Sequence, residues 1–140
     1  MSLYLEQVLG LINSTLACIQ SEELTGAMVS NYIKNKAIPA PVRKKYSREH
    51  LAYLMVTCLL KPVFTVQQIA QLYEIQRETY PLEISYDFFC TEYENALREA
   101  FDFTGDALPC VETRRTQQTI LVRSMVLAAA NRVYVEKTFF

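Results

Sequence analysis

Glycine is scarce in this chain: Gly10, Gly26 and Gly105 are the three examples in 140 residues. A phosphate-cradling loop needs several glycines in one short turn, and a nucleophile elbow needs two around a serine, so neither motif is present. Histidine is scarcer still. His50 is the single imidazole, which excludes the paired histidines of a zinc-hydrolase helix. The four cysteines, Cys18, Cys58, Cys90 and Cys110, stand far apart, and none has the CxxC spacing of a zinc site. Free thiols packed in a core are the expectation. These absences point away from an enzyme and imply neither a metal nor a cofactor. Long hydrophobic runs are missing too. The charge-free stretch 124–131 falls far short of the roughly 18 residues that span a bilayer. The first residues, Met1 to Glu6, carry no basic n-region and meet an acid at once, so we expect no secretory signal, no membrane and a cytoplasmic protein.

What the chain does have is a segregated charge. The whole sequence carries a net charge of −1, but residues 25–61 hold seven basic side chains against the single acid Glu49, a local +6. The remainder holds 7 basic and 14 acidic side chains, or −7. A basic segment of this kind creates a local positive field, and an anionic partner is its simplest use.

Hydrophobic spacing supplies the elements. Leu5, Val8, Leu9, Ile12, Leu16 and Ile19 recur at three- and four-residue steps, which predicts an amphipathic helix over about 3–19. Thr25 is placed to cap a second helix over about 26–36, and Ile38-Pro39-Ala40-Pro41 must stop it. Ser47 is the expected cap of a third helix carrying Leu51, Leu54, Met55, Cys58 and Leu59. Thr65 and Gln68 have the spacing of a capping box for a fourth, buried through Ile69, Leu72 and Tyr73. Tyr80-Pro81 divides a region 1–80 from a C-terminal helical region 81–140. There Ser85 caps a helix that Gly105 and Pro109 end, and the segment 113–137 is apolar nearly all round, as in a helix buried within its subdomain or against a partner. Phe88, Phe89, Tyr93, Phe101 and Phe103 read first as core and second as the lining of an effector pocket. The fold class is therefore all-α, with at most a minimal β wing around 42–46.

Two helices joined through a break, a basic turn, then a bracing helix is the order of a winged helix-turn-helix DNA reader. A recognition helix fits the major groove while lysines and arginines neutralise phosphates and fix register. The second helix would present Ala27, Ser30, Asn31, Lys34 and Asn35, and short amides such as Asn31 and Asn35 suit base edges, adenine above all. Lys36, Arg43, Lys44, Lys45, Tyr46 and Arg48 supply the turn beside it. His50, in the first turn after Ser47, reads as a solvated or capping side chain.

The blocks Leu24-Thr25-Gly26, Ser30-Asn31-Tyr32-Ile33-Lys34, Ile38-Pro39-Ala40-Pro41, Tyr46-Ser47-Arg48-Glu49-His50-Leu51 and Phe64-Thr65-Val66-Gln67-Gln68-Ile69 follow the order of the MerR DNA-binding domain. More closely, the chain resembles the bacterial family called domain of unknown function 1836, which shares the Asn-Tyr-x-Lys and Lys-Lys-Tyr-Ser-Arg-Glu-His-Leu blocks. The MerR-like part covers about 24–73. This resemblance implies a winged helix-turn-helix, with Tyr32 and Arg43 contacting the DNA backbone; the ring of Tyr32 equally suits a core position. Ser30 and Asn31 stand where the MerR pattern has Arg and Tyr, and the wing is shorter. The reading is a transcriptional regulator that binds double-stranded DNA as a homodimer through its C-terminal half, where a small-molecule or protein effector would also act. The alternative is an interaction adaptor that keeps the shape without using it on DNA.

Overall fold

The computed structural model describes residues 2–20, 22–102 and 116–140. These residues form an all-α protein with a single two-stranded ladder. The order is β1 (Leu3–Tyr4), α1 (Leu5–Leu16), α2 (Gly26–Lys34), β2 (Lys45–Tyr46), α3 (Arg48–Leu60), α4 (Val66–Thr79), α5 (Leu82–Phe101) and α6 (Gln117–Phe139). The chain divides into two compact units, Met1–Tyr73 and Glu74–Phe140. The division falls inside α4, before the expected break at Tyr80–Pro81. The buried positions of that helix, Val66, Ile69, Leu72 and Tyr73, stop there, and Glu74, Arg77 and Glu78 follow.

In the first unit, Val8, Ile12 and Leu16 of α1 meet a core that includes Val29, Leu54, Leu60 and Ile69. Between α1 and α2 an amide holds the backbone: Leu24 N–H donates to Asn13 Oδ1 at 2.8 Å, and Asn13 Nδ2 donates to the Leu24 carbonyl at 3.0 Å. Both backbone groups of Leu24 are thereby satisfied at a position that is 4% exposed. Thr25 then caps α2, its Oγ1 accepting from Met28 N–H at 3.3 Å.

The end of α2 departs from expectation. Proline does not stop it. Ala37 N–H donates to the Tyr32 carbonyl at 2.9 Å and Lys36 N–H to the Ile33 carbonyl at 3.0 Å, with Lys36 in the left-handed region at φ 59°. This is a Schellman ending, complete before Pro39, with lysine where glycine is usual. The strand at the N-terminus is also absent from the sequence reading, because two residues show no periodicity. Leu3 pairs with Tyr46 and Tyr4 with Lys45, antiparallel.

In the second unit α5 and α6 pack on each other. Phe101, the last residue of α5, meets Tyr134 edge-on with ring centroids 5.2 Å apart, so the C-terminal ends of the two helices lie together. Pro81, not Ser85, is the N-cap of α5, and Asp102 is its C-cap. A proline just before the helix has a pre-set φ and no amide to leave unpaired. The expected stop at Gly105 and Pro109, Phe103 of the aromatic group, Cys110 and the segment 113–115 lie outside the described residues. Of the expected aromatic core, Phe89 and Tyr93 are buried and stacked at 5.9 Å, whereas Phe101 is exposed. Within the chain α6 buries one stripe, Met125, Val126, Ala129 and Ala130; Ile120, Val135 and Phe139 stay exposed. Cys58 is buried and Cys90 half-buried, but Cys18 is exposed, contrary to the expectation of core thiols, since it follows the last buried residue of α1.

Candidate nucleic-acid interface

The candidate surface grows from α2 and the turn before α3. On α2, Val29 and Tyr32 face the core, which turns Ala27, Ser30, Asn31 and Lys34 to solvent; Asn35 is half-buried and Lys36 exposed. Tyr32 is corrected by this arrangement. It is 3% exposed, and burial, reinforced by the neighbouring Cys58 thiol and Glu22, pushes its hydroxyl up to about 12. Its ring holds α2 against the core and does not form the outer surface. Asn35 Nδ2 donates to the Asn31 carbonyl at 2.8 Å, within the last turn of the helix.

The turn expected to act as a wing is a two-residue hairpin. Val42 N–H donates to the Lys45 carbonyl at 3.1 Å and Lys45 N–H to the Val42 carbonyl at 2.9 Å. Between them Arg43 and Lys44 both have positive φ, 52° and 64°. Two such residues in a row make the mirror-type turn that matches strand twist and that Asn-Gly normally supplies. Placing arginine and lysine there costs about 1 kcal/mol each in backbone strain. Arg43, Lys44, Lys45 and Arg48 are all exposed. Tyr46, grouped with them on sequence grounds, is 5% exposed, so it too belongs to the support rather than to the surface. Burial raises its hydroxyl pKa above the ordinary value.

His50 carries the strongest local structure. The ring Nδ1 accepts from Ser47 N–H at 3.0 Å, so the ring proton sits on Nε2, which donates to the Ala40 carbonyl at 3.0 Å. Ser47 Oγ accepts from His50 N–H at the long limit of 3.5 Å and lies 2.8 Å from Nδ1. Histidine thus plays the part that Glu or Gln takes in a capping box, and its other nitrogen pins the segment leading into the wing. At 6% exposed it is a capping side chain and not a solvated one.

Two features escaped the sequence. Tyr4 is 54% exposed, and its ring lies 5.2 Å from Lys45 Nζ. An open groove of about 550 Å³ runs from Asn31 and Asn35 to Lys61, the turn 62–65 and the first residues of α4. The first had no periodic signal. The second depends on how the α3–α4 turn meets the end of α2, which no local pattern encodes. Among the described residues no group of three or more His, Cys, Asp or Glu is placed to hold a metal ion, and no helix is long and apolar enough to cross a membrane.

No curated protein and no solved structure matches the chain. One family model does, described as Domain of unknown function (DUF1836), over residues 1–89, which takes in all of β1, α1, α2, β2, α3 and α4. The chain belongs to the DUF1836 family.

Proposed function

We propose that this protein is a DNA-binding transcriptional regulator of MerR-like type, which lays α2 in the major groove and sets its basic wing on the backbone. The observation that carries the reading is the tip of the wing: two cations, Arg43 and Lys44, held in left-handed backbone that glycine would occupy without strain. Strain of this kind persists where the side chains matter, and here both are cationic and exposed. Ser30, Asn31 and Lys34 on the outer face of α2 add short polar groups and a charge within one helical turn.

A single module reads few base pairs, so we assign the protein a homodimer acting over two half-sites. The exposed Ile120, Val135 and Phe139 of α6 support pairing through the C-terminal unit. Sedimentation of a monomer at micromolar concentration, with and without DNA, removes that part.

The test of the whole reading is binding to random duplex DNA across salt concentrations. The quadruple alanine variant of Lys34, Arg43, Lys44 and Lys45 should weaken binding to every duplex and lower the log–log salt slope by about 0.9 for each phosphate contact removed. A folded quadruple variant with the parent's affinity and slope turns the reading over in favour of an interaction adaptor.

A further inference from the structure

The ladder between β1 and β2 decides which side chains share a face. Directly opposed residues of an antiparallel pair lie side by side, and neighbours along a strand alternate. Tyr46 is buried, so it and its partner Leu3 take the inner face, while Tyr4 and its partner Lys45 take the outer one. There the Lys45 ammonium stands 5.2 Å from the centroid of the Tyr4 ring, within the range of a cation–π contact.

An exposed tyrosine alone is ordinary surface. What distinguishes this one is its neighbour. A carboxylate opposite Lys45 would hold the side chain and cancel its charge; an aromatic face holds it and leaves the charge in place. Lys45 belongs to the +6 segment 25–61 and is adjacent to the strained pair Arg43 and Lys44. A lysine already held against a ring loses less rotamer freedom when it meets an anion.

We propose that Tyr4 is a positioning residue of the DNA surface: its ring seats the Lys45 ammonium on the outer face of the wing, where it meets a backbone phosphate of duplex DNA. This rests on the DNA-binding reading above, and extends the contact surface to the N-terminal strand.

A double-mutant cycle on the full chain tests it, with the dissociation constant for a random duplex read over a series of salt concentrations. Tyr4→Ala should weaken binding about two- to five-fold, the size expected of an exposed cation–π contact, and leave the salt slope unchanged because no charge is lost. Lys45→Ala should lower the slope by about 0.9. In the Lys45→Ala background, Tyr4→Ala should have no further effect, and Tyr4→Phe should match the parent. Equal losses from Tyr4→Ala in both backgrounds, no loss in either, or a Tyr4→Phe as weak as Tyr4→Ala each overturn the proposal while leaving DNA binding intact. Should Tyr4→Ala lose its thermal transition, Tyr4→Thr removes the ring and keeps a strand-favouring residue. A parent chain that binds no duplex at low salt overturns both readings together.

Discussion

His50 and Ala40 are joined across ten positions of sequence by a 3.0 Å hydrogen bond from Nε2 to a backbone carbonyl, while the other ring nitrogen caps α3. His50→Ala removes both bonds at a buried position and should cost about 1–3 kcal/mol. His50→Gln restores a capping-box partner for the Ser47 amide but not the hold on Ala40, so it should fall between alanine and the parent. Urea unfolding of the three proteins decides it; a glutamine variant no better than alanine would show that the cap contributes nothing.

The wing tip separates stability from binding. Changing Arg43-Lys44 to Asn-Gly relieves two left-handed positions and should raise stability by roughly 1–2 kcal/mol. On the proposed reading the same change deletes two phosphate-binding charges and should weaken binding to duplex DNA. Lys36→Gly, at the Schellman position of α2, should also stabilise, by about 1 kcal/mol. A denaturant midpoint that falls for either variant contradicts the strain argument.

The same change of tyrosine to phenylalanine should destabilise the first unit but not the second. In the first, the Tyr73 hydroxyl lies 2.7 Å from Thr57 Oγ1 and donates to the Tyr53 carbonyl at 2.9 Å, all buried. Tyr73→Phe removes the hydroxyl's bonds, while Thr57 Oγ1 keeps its own to the Tyr53 carbonyl at 2.7 Å, and should cost about 1 kcal/mol. In the second, the buried Tyr93 hydroxyl has no hydrogen-bond partner among the described residues. Tyr93→Phe removes an unmet polar group and should be neutral or stabilising by up to about 1 kcal/mol. Thermal melts of both variants give the signs directly.

Alkali should unfold the first unit through its buried thiol. Burial pushes Cys58 from 9.0 up to about 12, so the folded chain keeps a proton that the unfolded chain begins to release near pH 9. Its stabilising contribution is therefore full below pH 9 and lost as pH rises toward 12, at up to about 1.4 kcal/mol per pH unit. Tyr32, raised from 10.0 to about 12, adds the same sense over a narrower window. Cys58→Ala should be less stable than the parent at pH 7, and the gap should narrow between pH 9 and 11. Parallel stability curves for the two proteins would refute this.

The caps were the most legible part of the sequence. Thr25, Ser47 and Thr65 stand where their hydroxyls accept from the amide three residues on, because a cap is local chemistry at a fixed spacing. The outward set Ala27, Ser30, Asn31 and Lys34 followed from the helical period alone. Ile69, Leu72 and Tyr73 are buried as their spacing requires, but other features that depend on distant partners were not legible. Tyr32 and Tyr46 have side chains that fit a surface or a core equally well, and only the packing of α2 and β2 sends both inward. The ending of α2 rested on lysine taking a left-handed conformation, which propensity disfavours and tertiary context supplies. Ser85 has the chemistry of a cap, yet Pro81 starts the helix one turn earlier.

The pairing of Leu3 with Tyr46 also sets a folding order. The helices and the Val42–Lys45 hairpin are built from contacts close in sequence and can form early, but Tyr46 has no strand partner until the two ends of a long chain segment meet. Hydrogen-exchange protection that depends on the β1–β2 ladder should therefore come later than that of α3 during refolding. A chain stalled before that closure has its helices and its charges, yet lacks a wing held in place by its N-terminal strand.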